Sequence, residues 1–153
     1  MSQDRLAQIE HVACRISQTE RLALALLTGC LVAVLGVAAW LTPDPSGMGT
    51  HQQLGFPPCT SVSLLGLRCP ACGMTTSWAL MSEGRIAEAL SANTGGAMLF
   101  VIAWLSVPWL GWICAKGSVQ ARQVWGIFAL SGTVASMLIA FISWVWYFAT
   151  SRF

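Results

Sequence analysis

Three long runs without charged residues dominate the hydrophobic pattern of this chain. Their apolar cores are residues 22–41, 97–114 and 124–148. The length of each lies within the ~17–25 residues of a bilayer-spanning helix. Because the backbone inside lipid must satisfy its own hydrogen bonds, such spans should be α-helices. The pattern therefore predicts an all-α integral membrane protein with three transmembrane helices.

The remaining sequence divides into two flanking parts. Residues 1–20 form an N-terminal amphipathic segment, whose apolar positions Leu6, Ile9, Val12, Ala13 and Ile16 recur at helical spacing. That spacing is typical of a helix lying at the membrane interface. At the end of that segment, Ser17 and Glu20 have capping-box spacing just before the first span. Residues 21–153 form the three-span membrane domain.

The connection between the first two spans, residues 43–94, carries most of the candidate chemistry, and we call it the cysteine loop. Pro57, Pro58 and Pro70 argue against helix within its first part. Residues 74–81 look helical, and Thr75 or Thr76 can cap a short helix that runs to Ser82. A second short helix is predicted at residues 85–92, and both are expected at the membrane interface.

Composition narrows the class of protein further. The chain is 56% hydrophobic and only 9% charged, against about 25% charged residues in soluble domains. The net charge of +2, without a basic run, argues against a nucleic-acid partner. Five basic residues fall on the N-terminal side and three on the other, which predicts a cytoplasmic N-terminus.

The three spans contain no residue with a carboxylic acid or basic side chain. None of the three holds Asp, Glu, Lys, Arg or His, which argues against an ion pump or coupled transporter. Pro108 predicts a helix kink that frees the carbonyl of Trp104, with Ser106 available to satisfy it. Small residues four apart, Gly29 with Ala33 and Gly132 with Ser136, permit close helix approach.

The cysteine loop contains Cys59, Cys69 and Cys72, with His51 upstream. A disulfide from Cys59 to either of the other two would suit an oxidising compartment, but leaves one cysteine over. Alternatively, Cys-Pro-x-Cys-Gly is the turn of zinc ribbons, and Cys59 and His51 could complete four ligands.

A third interpretation is redox exchange by Cys69 and Cys72, because a Cys-x-x-Cys before a helix lowers the pKa of its first thiol. The disulfide is the leading interpretation of the three. Cys14, Cys30 and Cys114 stand alone and are expected to behave as small hydrophobic residues.

The order of features in the loop resembles a known family. The resemblance rests on the following residues: Pro58-Cys59, Gly66-Leu67-Arg68-Cys69-Pro70-Ala71-Cys72-Gly73-Met74-Thr75, Glu83-Gly84-Arg85, Ala89-Leu90 and Asn93. They resemble an uncharacterised bacterial family, domain of unknown function 2752, over roughly residues 57–107. The resemblance marks Pro70, Gly73, Thr75 and Asn93 as motif residues and implies a bacterial inner-membrane protein. This chain departs from the family pattern at Thr76, where arginine is usual, and at Thr94, where proline is common.

Together these features favour a small non-catalytic membrane protein. We expect an accessory or scaffold subunit with a disulfide- or metal-stabilised outward loop, binding the lipid bilayer and a membrane-protein partner or a second copy. The alternatives are a thiol-disulfide redox protein using Cys69 and Cys72, and a zinc-stabilised adaptor. Zinc is the one cofactor that these residues suggest. No catalytic set accompanies the cysteines, so enzymatic activity is left open rather than predicted.

Overall fold

The computed structural model describes residues 16–117 and 119–150, which are helical without a strand. Within these residues, five α-helices and one 3₁₀-helix follow one another. In order they are α1 (Gln18–Trp40), the 3₁₀-helix (Thr50–Leu54), α2 (Thr60–Leu65), α3 (Met74–Ser82), α4 (Ile86–Lys116) and α5 (Val119–Thr150).

Helices α1, α4 and α5 are each long and apolar enough to cross a membrane. The predicted all-α, three-span fold is therefore confirmed. The capping box is confirmed too, since Ser17 and Glu20 bond each other's backbone N–H groups at the start of α1. The N-terminal interfacial helix, in contrast, falls almost wholly outside the described residues.

Helix α4 is the centre of the bundle, because it packs against α1, α3 and α5. It lies very close to α5 at Gly95, where an added Cβ would be 2.5 Å from the Cβ of Ala140. The buried Ser136 hydroxyl donates to the Gly95 carbonyl at 2.6 Å. Small residues thus bring these two spans into contact, as membrane helices commonly do.

Helix α3 (Met74–Ser82) ends at the predicted residue and is partly buried within the chain. It packs between α1 and α4, and Leu80 joins Ala89 and Ala97 in a buried cluster. Its N-cap is Gly73 and not a threonine, because Thr75 and Thr76 already lie inside the helix. The prediction that the prolines rule out helix in the first part of the loop was also too broad. Helix α2 begins at Thr60, directly after Cys59.

The two ends of the bundle differ in what they bring together. At one end the Ile16 N–H donates to the Gly117 carbonyl at 3.1 Å, and Arg122 pairs with Glu20. The start of α1 and the turn between α4 and α5 are therefore neighbours. The cysteine loop joins the opposite ends of α1 and α4.

The main backbone irregularity of α4 is at Asn93, whose φ of −163° and ψ of 105° interrupt the helix. Pro108 lies further along the same element, and the kink predicted there stays a prediction. The Ser106 hydroxyl, which was predicted to bond the Trp104 carbonyl, has a different partner. Ser106 donates to the Ile102 carbonyl at 2.6 Å, one turn back, instead of the carbonyl of Trp104.

Candidate metal centre

The three loop cysteines meet at one point. Their sulfur atoms form a nearly equilateral triangle: Cys59 to Cys69 is 3.6 Å, Cys69 to Cys72 is 3.3 Å, and Cys59 to Cys72 is 3.5 Å. We call these three residues the thiol triangle. All three side chains are partly buried. The arrangement is close enough for all three sulfurs to bind one metal ion.

The turn that carries two of these thiols depends on a glycine. Cys72 N–H donates to the Cys69 carbonyl at 3.0 Å, closing the Cys-Pro-Ala-Cys turn. Gly73 follows with a φ of 83°, in the region that side chains disfavour. An added Cβ there would lie 2.6 Å from the Ala92 carbonyl oxygen and 2.7 Å from that of Gly47. Only glycine lets these three backbone segments approach so closely.

Asn93 holds the same turn from the side of α4. Its amide nitrogen donates to the carbonyls of Pro70 at 3.0 Å and Cys72 at 3.1 Å. Its amide oxygen accepts from the Gly96 N–H at 2.7 Å, while its backbone carbonyl accepts from Ser77. One side chain therefore ties the cysteine turn to the start of the second span.

Residues 59–107 match the family described as Protein of unknown function (DUF2752). This is the family that the sequence resembled, and that prediction is confirmed. No curated protein and no solved structure matches the chain.

The disulfide that the sequence favoured is absent from the described part of the chain. Its cysteines all carry free thiols, and the closest pair, Cys69 and Cys72, has its sulfurs 3.3 Å apart. A disulfide bond is about 2.05 Å long. The sulfur spacing is instead close to the ~3.8 Å edge of a tetrahedron whose metal–sulfur bonds are about 2.3 Å.

The thiols of the DUF2752 region differ in acidity. A hydrogen bond from the Val62 backbone N–H, followed by hydrogen bonds with the thiols of Cys72 and Cys69, lowers the pKa of Cys59 to about 7. Burial, then the hydrogen bond with Cys69, raises the pKa of Cys72 to about 12. Metal ligation requires thiolates, so binding of a metal ion at the triangle would release protons.

A cavity of about 390 Å³ opens beside the thiol triangle. All three cysteines line it, together with His51, Met48 and Thr75 among others. His51 does not lie within the sulfur cluster itself. Its Nε2 instead lies 3.2 Å from the Pro57 carbonyl oxygen, to which it donates.

Two further contacts position the loop, and neither was predicted. The residues Thr50 and Thr76 are fully buried and their hydroxyl oxygens are 2.8 Å apart, so this contact ties the 3₁₀-helix to α3. The Trp144 indole N–H donates to the Arg68 carbonyl, joining α5 to the cysteine turn. Nothing in the sequence pairs Thr50 with Thr76 or Trp144 with Arg68.

Proposed function

We propose that this protein is a small, non-catalytic accessory protein of the membrane whose cysteine loop is folded around a bound metal ion, with zinc the first candidate. The observation that carries the proposal is the thiol triangle, in which three sulfurs from two separate parts of the loop converge. Thiolates are preferred ligands of zinc, and structural zinc sites contribute folding energy directly. A loop built from short helices gains a fixed centre in this way.

Metal analysis of the purified full-length protein tests the proposal. We expect about one zinc ion per chain, lost when Cys59, Cys69 or Cys72 is replaced by serine. A strong chelator should lower the melting temperature by about 5 °C or more, since each kcal/mol is worth ~2–4 °C in a chain of this size. Cys30→Ser and Cys114→Ser are matched controls that remove a thiol elsewhere and should keep the metal. Wild-type protein that melts identically with and without metal would contradict the proposal.

A redox role is the second candidate, and the lowered pKa of Cys59 is the observation that favours it. Thiolates attack disulfides, and exchange passes through a mixed disulfide. If this role holds, Cys69→Ser or Cys72→Ser should trap a partner that reductant releases. We expect no trapped partner, because one metal ion would occupy all three thiols.

For the location we propose the inner membrane of a bacterium, with the N-terminus on the cytoplasmic side. The support is the family resemblance and the clustering of Arg21, Lys116 and Arg122 around one end of the bundle. In a cysteine-free background, Met48→Cys should react with an impermeant maleimide in spheroplasts and Ser118→Cys should not. The reverse labelling would invert the orientation.

The accessory role implies association with another membrane protein or a second copy of this chain. The spans leave room for it, since only 6% of the apolar window of α1 is buried within the chain. Chemical cross-linking in native membranes should give a discrete complex that is weakened by Cys59→Ser. A chain that runs only as a monomer, with unchanged cross-linking in that variant, would contradict the accessory role.

A further inference from the structure

The thiol triangle is incomplete as a zinc site, because it supplies three ligands. With metal–sulfur bonds of about 2.3 Å, a triangle of this size places an ion about 1 Å outside the plane of the sulfurs. An ion in that position is pyramidal and has one coordination site free. Structural zinc sites are four-coordinate and closed, so the fourth ligand has to come from the side on which the ion lies.

The 390 Å³ cavity is the space that all three cysteines share, and His51 lines it with them. The histidine ring is already held in a suitable state. Because a carbonyl oxygen only accepts, the bond between His51 Nε2 and the Pro57 carbonyl places the proton on Nε2. The lone pair of the neutral ring is then on Nδ1. Metal-binding histidines commonly show this arrangement, in which the other ring nitrogen donates to a backbone carbonyl.

The position of His51 is also constrained from both sides. Its neighbour Thr50 is anchored to α3 through Thr76, and Pro57 lies two residues before Cys59. The 3₁₀-helix that carries His51 is bounded by Gly49 and Gly55, with φ values of 93° and 83°. The ring thus lies on a short, glycine-bounded segment that lines the same cavity as the triangle.

Resting on the proposed metal centre, we propose that His51 is its fourth ligand through Nδ1, so that the loop closes as a Cys₃His zinc site when metal binds. The metal then joins three parts of the loop: the 3₁₀-helix, the start of α2 and the Cys-Pro-Ala-Cys turn. The thioether of Met48 lines the same cavity but is not among the usual ligands of zinc.

Cobalt(II) titration of the full-length, metal-free protein in detergent tests this assignment. Wild type should give thiolate-to-cobalt charge-transfer bands together with intense d–d bands typical of a tetrahedral S₃N site. His51→Ala should keep the charge-transfer bands, change the d–d bands, and weaken zinc at least about tenfold, since even second-shell losses weaken metal affinity ~10–100-fold. His51→Cys should restore a tetrahedral spectrum, now with stronger thiolate bands.

Met48→Leu is the matched control, because it removes the competing sulfur at nearly constant volume and should leave the spectrum unchanged. If wild type binds cobalt through the cysteines and His51→Ala gives the same d–d bands and affinity, the histidine assignment is wrong while the metal centre stands. A spectrum altered by Met48→Leu instead would also overturn it. If wild type binds no cobalt or zinc, the metal centre itself fails.

Discussion

The cysteine loop and the three spans are held in place by different interactions. The loop depends on individual polar contacts between distant segments, such as Asn93 with Pro70 and Cys72, or Thr50 with Thr76. The spans meet through small residues such as Gly95 and leave most of their apolar surface exposed. Insertion of the spans therefore follows from composition, whereas the shape of the loop follows from a few particular side chains.

The sharpest way to break the loop alone is Gly73→Ala. The added methyl group meets two backbone carbonyls and also adopts a disfavoured φ. We expect destabilisation of about 2–5 kcal/mol together with loss of metal. Gly84→Ala is the matched control, because Gly84 has a φ of 76° but open space around it, and should cost only about 1–2 kcal/mol. Equal thermal melts for the two variants in detergent would show that the close approach at Gly73 is unimportant.

Asn93→Ala should have the next largest effect. It removes three hydrogen bonds made by one partly buried side chain, worth about 2–4 kcal/mol in total. Thermal melting and metal retention should both fall, while membrane insertion is unchanged. Thr94→Ala serves as the control, since its hydroxyl bonds only the Leu90 carbonyl one turn back. Full metal retention in Asn93→Ala would show that the turn forms without this residue.

Gly95→Ala tests the contact between spans. Its methyl group would overlap Ala140 and the Ser136 carbonyl, so α4 and α5 must move apart at a cost of about 1–3 kcal/mol. Gly111→Ala in the same helix meets nothing within 4 Å and should be neutral. We expect reduced cross-linking between cysteines placed on α4 and α5 in the first variant only. Unchanged cross-linking would mean that the interface does not depend on close approach.

The smallest effect is expected at Gly29 in α1. An added Cβ there meets nothing within 4 Å, so Gly29→Ala should change stability by less than about 0.5 kcal/mol. Within the described part of the chain, no other helix therefore packs closely against Gly29, although the pair Gly29 and Ala33 would permit it. A marked loss of stability would indicate that this face of α1 contacts another protein.

The parts of the fold that could be predicted from the sequence are those that depend on the hydrophobicity of a long run of residues. Long apolar runs are enough to predict α1, α4 and α5, and the local pattern predicts where α3 ends. Prediction was weakest where distant residues meet. Spacing alone cannot distinguish a disulfide from three converging thiols, since both need only cysteines in one loop. Which of the two arrangements forms depends on how Gly73 and Asn93 shape the cysteine turn. The sequence identifies these two residues but not the backbone groups that they contact.

The bond from Trp144 to the Arg68 carbonyl joins residues 76 positions apart. During translation, the residues of the cysteine turn are therefore synthesised well before the helix that supports the turn. At ~5–20 residues per second the delay is about 4–15 s. During that interval the turn lacks its tryptophan, and the contact forms only once α5 is in place. Maturation of the loop is thus coupled to insertion of the last helix, and chains stopped before Trp144 should carry an unsupported cysteine turn.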